Sequence, residues 1–307
     1  MLVADEGVTT PVLAIRGGGI ALSRDGEAVR LTVQAGEPWQ SVVDRAVDEG
    51  LAGVETLAGI PGLTGATPIQ NVGAYGQEVS DTIESVRTFD RERGEVVELP
   101  AAACAFAYRD SAFKSRWPGR HVVLSVTFRL RPGAPATPRY GELSAALGGA
   151  PLTLAHVRDT VVALRRKKGM VVDAADPDSR GAGSFFTNPI VAPERWADVV
   201  ARASSALRPG ETLPSFDAGD GRRKVAAAWL IERAGFVRGT TRGGAALSSK
   251  HALALVNRGG TAAEVVSLAS AIQRSVRERF GVMLTPEPVL VGFASGTLAG
   301  EVGEPAH

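Results

Sequence analysis

Residues 59–78 (GIPGLTGATPIQNVGAYGQE) form the first segment of this 307-residue chain whose composition suits chemistry. Its five glycines and two prolines allow backbone amides to approach a ligand without obstruction by a Cβ atom. Gln70, Asn71 and Tyr75 add hydrogen-bonding groups and an aromatic face. A long structural turn has the same composition, so the residues alone leave both interpretations open. The segment is neither a Walker loop nor a GxGxxG turn after a strand, so those nucleotide-binding folds find no support.

Arg109 lies in a second segment, residues 107–114 (AYRDSAFK), between Tyr108 and Asp110. A guanidinium can bind a carboxylate through two parallel hydrogen bonds and can stabilise developing negative charge. A surface ion pair between Arg109 and Asp110 is the alternative interpretation.

Ser184 lies in a third segment, residues 181–189 (GAGSFFTNP). A serine beside apolar walls, here Phe185 and Phe186, can act as a nucleophile or as a proton donor. Phe186 occupies the place of the second glycine of a GxSxG turn, which argues against a hydrolase. The alternative is a serine whose hydroxyl binds the backbone of its own loop.

Two further groups of charged side chains have suggestive surroundings. Glu287 lies between two prolines, which restrict the backbone on both sides. Such a carboxylate suits general-acid or electrostatic work, although an exposed turn residue has the same sequence. The basic cluster at residues 165–168 (RRKK) ends a predicted helix, where cations are favourable. Phosphate binding is the alternative role for this cluster.

Hydrophobic periodicity predicts the elements that position these segments. Two runs alternate apolar and polar residues and predict strands: Val29, Leu31, Val33, and Leu124, Val126, Phe128, Leu130. A helix is predicted with Pro38 near its first turn, ended by Gly50, with the apolar side Trp39, Val42, Val43, Ala46, Val47. A second apolar helix face is predicted at Trp196, Val199, Val200, Ala203. The longest helix is predicted to begin at Thr261, with a capping box to Glu264, and to end at Gly281. Its buried stripe is Val265, Leu268, Ala269, Ile272, Val276, Phe280.

Length and charge limit the class of protein. A chain of 307 residues exceeds the roughly 250 that one core usually supports, so two domains are expected. The net charge of +1 gives no overall basic field for nucleic acid or a membrane surface. No apolar run approaches the ~20 residues of a membrane span. The single cysteine, Cys104, suits a reducing cytosol, and the scattered His and Cys residues give no metal-ligand spacing.

The order of these segments resembles that of the UDP-N-acetylenolpyruvoylglucosamine reductase (MurB) family. The resemblance extends from Val3 to Phe293. It rests on seven stretches in a fixed order: GIPGLTGATPIQNVGAYGQE, YRDSAFK, RYGEL, RRKKGMVVD, GSFFTNP, AAAWLIERAG with RGGAALSSKHAL, and PEPVLVGF.

The resemblance implies an α+β protein, in which an FAD-binding fold of the vanillyl-alcohol-oxidase (PCMH) type precedes a C-terminal α+β substrate-binding domain. The expected ranges are 1–169 for the FAD-binding domain, 170–288 for the substrate-binding domain, and 289–307 for a return strand and tail. The implied protein is a cytoplasmic, monomeric enzyme of peptidoglycan precursor synthesis. With FAD as cofactor and NADPH as hydride donor, it reduces UDP-N-acetylglucosamine enolpyruvate to UDP-N-acetylmuramate.

Matching by motif also implies roles for individual residues. Ser184 is expected to donate the proton, while Arg109 and a protonated Glu287 stabilise the enolate-like intermediate. The expected substrate-binding residues are Tyr140, Arg165, Lys168, Asn188. The residues expected to lie along the flavin are Gly59, Ile60, Pro61, Gly62, Gly65, Gln70, Asn71, Gly73, Ala74, Tyr75, Gly76.

The family normally has several dozen residues before this point, ending in a glycine-rich turn that holds the FAD pyrophosphate. Met1 matches the segment directly after that turn, so we expect a start codon assigned too late. We also expect the chain as written to bind FAD poorly and to leave the strand Val289–Val291 without its partner. Two other functions stay open: a flavin-dependent oxidase of the same fold, and a non-catalytic nucleotide-sugar-binding remnant.

Overall fold

The chain divides into two compact units in its computed structural model, which describes residues 1–300 except 27, 136, 139 and 150. The first unit, here the N-terminal unit, is Val12–Lys167. The second, here the C-terminal unit, joins Met1–Pro11 to the described residues from Lys168 to Gly300. We expected residues 1–169 to form one domain, so the division differs mainly in the first eleven residues. The expected tail beyond residue 300 lies outside the described residues.

Both units contain strands and α-helices. The strands are β1 (Leu2–Val3), β2 (Ile20–Asp25), β3 (Ala28–Gln34), β4 (Leu51–Ala52), β5 (Gly73–Ala74), β6 (Gln77–Glu78), β7 (Ile83–Asp90), β8 (Glu95–Pro100), β9 (His121–Pro132), β10 (Gly181–Ser184), β11 (Ile190–Val191), β12 (Ser215–Asp217), β13 (Arg223–Val225), β14 (Thr241–Arg242), β15 (Ala245–Leu247), β16 (Ala254–Asn257) and β17 (Leu290–Val291). The α-helices are α1 (Trp39–Asp48), α2 (Ala112–Ser115), α3 (Gly141–Leu147), α4 (Leu154–Lys167), α5 (Pro193–Ala203), α6 (Ala227–Arg233) and α7 (Ala262–Phe280).

The N-terminal unit is built on an antiparallel sheet with strand order β2-β3-β9-β7-β8, and β4 also pairs with β9. Both predicted strands are confirmed as β3 and β9, and Val126, Phe128 and Leu130 are buried as expected. Leu124 is only half-buried, because the β7–β9 register shifts between Arg87 and Thr88 and breaks the alternation there.

Helix α1 packs on this sheet and has the predicted apolar side. Its buried residues are Trp39, Val42, Val43, Ala46, Val47. Pro38 precedes the helix, and Gly50 follows it with φ +68°, a left-handed conformation that ends the helix at little cost. The Trp39 indole nitrogen donates to the Leu57 carbonyl at 3.0 Å, which ties α1 to the chain leading into residues 59–78.

The C-terminal unit contains two small antiparallel sheets, with strand orders β10-β16-β15-β14 and β11-β13-β12, together with α5, α6 and α7. The predicted stripe of α7 is buried throughout, and the capping box between Thr261 and Glu264 is present. Gly281 ends α7 with φ +68°. On α5 the prediction is wrong at Val200, which is 36% exposed, whereas Val199 and Ala203 are buried.

The first residues of the chain belong to the C-terminal unit because β1 pairs in parallel with β17. The Leu2 amide donates to the Val289 carbonyl at 2.9 Å, and the Ala4 amide donates to Val291 at 2.8 Å. The expectation that the strand at 289–291 lacks a partner is therefore wrong. Leu298 is also buried, so the chain stays packed beyond β17.

Asp5 extends this connection to the start of α7. Its two carboxylate oxygens accept the Ala262 amide at 2.7 Å and the Ala263 amide at 3.0 Å. The first amides of a helix have no partner within the helix, so these bonds cap it.

None of the described helices combines the length and apolar composition that crossing a bilayer requires.

Candidate functional site

Residues 59–78, here called the cofactor loop, are fixed along the start of α1. The Gly65 amide donates to Ala35 and the Thr64 amide donates to Glu37, both at 2.9 Å, while the Trp39 amide donates to Gly62 at 3.0 Å. A Cβ on Gly65 would lie 2.6 Å from the Ala35 Cβ, so only glycine allows this approach. One edge of the loop is thereby anchored on the sheet and α1.

The part of the loop around Gly62 faces outward. Pro61, Gly62 and Leu63 are exposed, and Gly62 has φ +125° with no atom within 4 Å of the place a Cβ would take. The backbone there can be approached closely by a flat ligand, since no side chain covers it.

The end of the loop is a two-residue hairpin between β5 and β6. Its turn residues Tyr75 and Gly76 have φ +49° and +90°, the positive values that such a turn requires. The Gln77 side chain secures one side: its oxygen accepts the Thr56 amide at 2.9 Å, and its nitrogen donates to buried Glu55 at 2.9 Å.

Arg109 lies against this hairpin. Its Nη2 donates to the Gly73 carbonyl at 2.5 Å, its Nη1 donates to the Asn71 carbonyl at 3.4 Å, and its side chain is 18% exposed. Arg109 has φ +54°, an uncommon conformation for a residue with a Cβ, and the Lys114 ammonium donates to its carbonyl at 3.0 Å. The guanidinium expected to stabilise negative charge is therefore held beside the cofactor loop.

Two side chains that support Arg109 were not predicted in that role. Glu78 Oε1 lies 3.7 Å from Arg109 Nη1, and Glu78 Oε2 accepts the Asn71 Nδ2 proton at 2.7 Å. Asn71, expected along the flavin, is 1% exposed, and its side chain also binds the Ala107 carbonyl and the Ser80 amide. Asn71 thus supports the loop from inside. The only signal for Glu78 in the sequence was its place as a charged residue at the end of a glycine-rich segment. The sequence does not reveal that Arg109 is its partner.

Ser184 and Glu287 lie on adjacent segments of the C-terminal unit. The Glu287 amide donates to the Phe185 carbonyl at 2.9 Å, and the Thr187 amide donates to the Thr285 carbonyl at 3.0 Å. Between these two bonds, Phe186 and Pro286 form an isolated antiparallel β-bridge. Ser184 ends β10, and both it and Glu287 are half-buried. The two motifs, about a hundred residues apart in sequence, are thus brought together.

Phe185 and Phe186 do not line an open site as expected. Both are 1% exposed, and their rings meet edge to face with centroids 5.2 Å apart. They belong to the core of the C-terminal unit, together with residues of α7 such as Val276 and Phe280. Burial of this pair fixes the backbone that carries Ser184.

Two family models match parts of this chain. Residues 176–291 match the family model for the C-terminal domain of UDP-N-acetylenolpyruvoylglucosamine reductase, and residues 11–100 match an FAD binding domain. A UDP-N-acetylenolpyruvoylglucosamine reductase from Thermobifida fusca is 49% identical over 95% of this chain and 83% of its own length. One from Mycobacterium marinum is 51% identical over 88% and 74%.

The chain belongs to the UDP-N-acetylenolpyruvoylglucosamine reductase family. Members of this family are flavin-dependent oxidoreductases, and FAD is the cofactor of this chain. The reductase from Thermus caldophilus has a solved structure that aligns with a TM-score of 0.54, 23% identity, and coverage of 85% of this chain and 72% of that one. That likeness concerns the fold, and with the two domain matches it confirms the expected fold class.

The cofactor loop fits a flavin on structural grounds. Thr64 and Gly65 are buried and anchor the loop, whereas the backbone at Gly62 is exposed. Tyr75 lies in the turn of the hairpin. A loop of this kind offers amides and an aromatic ring to a planar, polar ligand. Within the described residues no group of His, Cys, Asp and Glu could hold a metal ion.

Tyr75 also lies near two residues that the family resemblance implies for substrate. Its ring packs edge to face against that of Tyr140, with the ring centroids 6.2 Å apart and an interplanar angle of 74°. Tyr140 is 48% exposed. Burial lowers the pKa of the Arg165 guanidinium, and nearby Tyr75 acts in the opposite direction. Lys168 was expected on the same helix face as Arg165, but α4 ends at Lys167 and Lys168 is the first residue beyond it.

Asn188 has a structural contact as well as its implied role. Its side-chain oxygen accepts the amide of Ala227, the first residue of α6, at 2.9 Å. The family motif GSFFTNP therefore also holds the start of a helix.

Asp178 is a supporting residue that sequence reasoning missed. It is 2% exposed and accepts the Ser249 amide at 2.9 Å, the Ser249 hydroxyl at 2.5 Å and a proton of Arg258. Burial raises the pKa of Asp178, but the hydrogen bonds from Ser249 and the hydrogen bond and charge of Arg258 together outweigh it, so the pKa is lowered. Asp178 fixes the segment that leads into β10, and hence into Ser184. An Asp-Pro-Asp sequence indicates a turn, but its long-range partners leave no local signal.

Proposed function

We propose that this chain catalyses the NADPH-dependent reduction of UDP-N-acetylglucosamine enolpyruvate to UDP-N-acetylmuramate, a step of peptidoglycan precursor synthesis. Family membership supports the substrate and the reaction. The observation that carries the residue assignment is the pairing of the Ser184 and Glu287 segments in one unit. We further propose that the protein acts as a monomer in the cytoplasm.

Arg109 is proposed to stabilise the negative charge that develops on the substrate. When bound, FAD supplies the hydride that forms the new bond at the β-carbon of the enolpyruvyl group. The electron pair of the double bond then moves towards the α-carbon and its carboxylate. A fixed guanidinium lowers the free energy of this charge as it forms, because it needs no reorganisation during the reaction. Contacts with the Gly73 and Asn71 carbonyls support this role, since they hold the guanidinium still.

Glu287 is proposed as the second group at this charge. In its protonated form the carboxyl donates a hydrogen bond to the enolate-like intermediate, whereas an ionised carboxylate would repel it. The Glu287 backbone is fixed by its bond to Phe185 and by two flanking prolines.

Ser184 is proposed to deliver the proton to the α-carbon. A serine hydroxyl is a weak acid, but the carbanion-like α-carbon is a strong base, and close positioning compensates for the mismatch. The second carbon–hydrogen bond forms with the hydroxyl proton, and the serine regains a proton from solvent.

The nucleotide part of the substrate is proposed to lie against four other side chains. The partly desolvated Arg165 guanidinium gains most from an anion such as the UDP pyrophosphate, together with Lys168. Tyr140 is exposed enough to cover a bound nucleotide, and Asn188 is assigned to the sugar or phosphates.

Anaerobic absorbance spectroscopy of the FAD-loaded protein tests the proposal. NADPH is expected to bleach the flavin, and UDP-N-acetylglucosamine enolpyruvate alone is expected to restore its colour, with UDP-N-acetylmuramate detected by mass spectrometry. Return of colour only on admission of oxygen would indicate an oxidase. A protein that binds the nucleotide sugar but is not bleached by NADPH would indicate a non-catalytic remnant.

A further inference from the structure

The hairpin of the cofactor loop is held from two sides by consecutive side chains. Gln77 contacts Thr56 and Glu55 on one side, whereas Glu78 contacts Asn71 and Arg109 on the other. This opposition follows from the alternation of side chains along strand β6. The two residues therefore have separate tasks: Gln77 fixes the hairpin, and Glu78 connects it to Arg109.

Arg109 is closely enclosed where Glu78 meets it. A Cβ on Gly73 would lie 2.9 Å from Arg109 Nη1 and 2.8 Å from Glu78 Cγ, so the guanidinium and the glutamate stem both pack on the glycine backbone. The Gly73 carbonyl accepts from Nη2, and the Glu78 carboxylate lies 3.7 Å from Nη1. The Asn71 carbonyl also accepts from Nη1, at 3.4 Å, so Glu78 adds a charged partner to the carbonyl contacts that fix the plane of the guanidinium.

Glu78 is itself held in place from the opposite direction. Its Oε2 accepts from Asn71, which is buried and anchored to Ala107 and Ser80, while its Oε1 faces Arg109. The carboxylate thus transmits the position of the buried Asn71 to the guanidinium. An arginine side chain loses rotamer freedom when it is ordered, and a pre-formed contact removes that cost from the reaction step.

We propose that Glu78 is a positioning residue for Arg109 and sets the orientation in which the guanidinium meets the developing enolate. The inference rests on the proposed function, since it concerns the step in which the substrate becomes negatively charged. It assigns Glu78 no role in the reduction of the flavin by NADPH.

Glu78→Gln isolates this contact. The amide oxygen can still accept from Asn71, but the amide nitrogen facing Arg109 is a donor and cannot pair with a guanidinium. We expect unchanged flavin content and an unchanged rate of bleaching by NADPH. The rate of recolouring by the enolpyruvyl substrate should fall about tenfold, less than the ~100-fold expected for a reacting group misplaced by 1 Å.

Glu84→Gln is the matched control. Glu84 pairs with Arg30 at 2.6 Å in the same unit, and its side chain is 32% exposed against 33% for Glu78. It contacts neither Arg109 nor the cofactor loop in any described bond, so we expect both half-reactions to keep the rates of the unsubstituted protein.

A double-mutant comparison separates positioning from a general structural effect. If Glu78 acts through Arg109, adding E78Q to Arg109→Lys should slow recolouring by much less than tenfold, because the partner geometry is already lost. Equal losses in both backgrounds, or a loss of flavin or slower bleaching in E78Q, would overturn the inference. Failure of the unsubstituted protein to recolour with substrate would instead overturn the proposed function.

Discussion

Arg109 shows how a single side chain can be prepared for chemistry by its backbone. A left-handed φ of +54° in a residue with a Cβ is costly unless surrounding contacts maintain it. Here the Lys114 ammonium and the Ala107–Asp110 bridge hold the backbone, and the Gly73 carbonyl holds the guanidinium. We interpret this conformation as the device that turns Arg109 towards the cofactor loop.

Arg109→Lys is expected to slow the substrate half-reaction while sparing the flavin. An ammonium keeps the charge but cannot contact the Gly73 and Asn71 carbonyls in the same planar arrangement. We expect the rate of recolouring by substrate to fall about 100-fold, in the range found when one transition-state donor is removed. Stopped-flow absorbance measures it, with the NADPH half-reaction as internal control. Equal slowing of both half-reactions would show that Arg109 serves the flavin site generally.

At the residue scale, the candidate charged and hydroxyl side chains could be predicted from the sequence, but the residues that hold them in place could not. Arg109, Ser184 and Glu287 were identified from residue type, spacing and family motif. Glu78 and Asp178 were missed because their partners, Arg109 and Arg258, are 31 and 80 residues away. Local patterns carry no information about such pairs, which depend on how the chain folds back.

The helices illustrate the same contrast at the level of elements. The apolar stripe and capping box of α7 were predicted correctly, since both depend on residues within a few positions of one another. The bulge at Leu124 was not predicted, because it depends on the register of β9 against β7. The cap that Asp5 gives to α7 spans more than 250 residues and was also missed.

Asp5→Ala is expected to lower the free energy of unfolding by about 1 kcal/mol. The substitution leaves the Ala262 and Ala263 amides at the start of α7 without their carboxylate acceptor. Denaturant unfolding followed by circular dichroism measures the change. Glu6→Ala is the control, because Glu6 is an exposed neighbouring acid with no described bond to α7. Equal effects of the two substitutions would contradict the capping role.

Glu211 should make the C-terminal unit sensitive to acid. The Arg208 amide, Trp229 and Arg233 donate hydrogen bonds to its carboxylate and lower its pKa from 4.5 to about 2. A lowered pKa in the folded state stabilises the protein above the unfolded pKa, and this stabilisation is lost as the pH falls from 4.5 towards 2.

Glu211→Gln should therefore remove part of the pH dependence of stability. We expect the variant to unfold more easily than the unsubstituted protein at about pH 5, with the difference shrinking by about pH 3. Urea unfolding at the two pH values measures the difference. A gap that stays constant between them would show that the ionisation of Glu211 does not contribute.

At the scale of the whole molecule, the chain divides into two compact units. Arg109 and the cofactor loop belong to the N-terminal unit, whereas Ser184 and Glu287 belong to the C-terminal unit. Chain length predicted two domains, and the family resemblance implied a division near residue 169. They did not predict that Met1–Pro11 would join the second unit, because that assignment follows from the pairing of β1 with β17.

The central claim is that Ser184 donates a proton to the substrate after hydride transfer and takes no part in the reduction of the flavin by NADPH. The substitution Ser184→Ala tests this claim most directly. Thr187→Val serves as the control, since it removes a hydroxyl three residues away whose described partner is the Thr285 carbonyl. Anaerobic stopped-flow absorbance should show NADPH bleaching the flavin at the same rate in both variants and in the unsubstituted protein. Recolouring by UDP-N-acetylglucosamine enolpyruvate should be slower by at least about 100-fold in Ser184→Ala alone. Recolouring of Ser184→Ala at the unsubstituted rate would contradict the account.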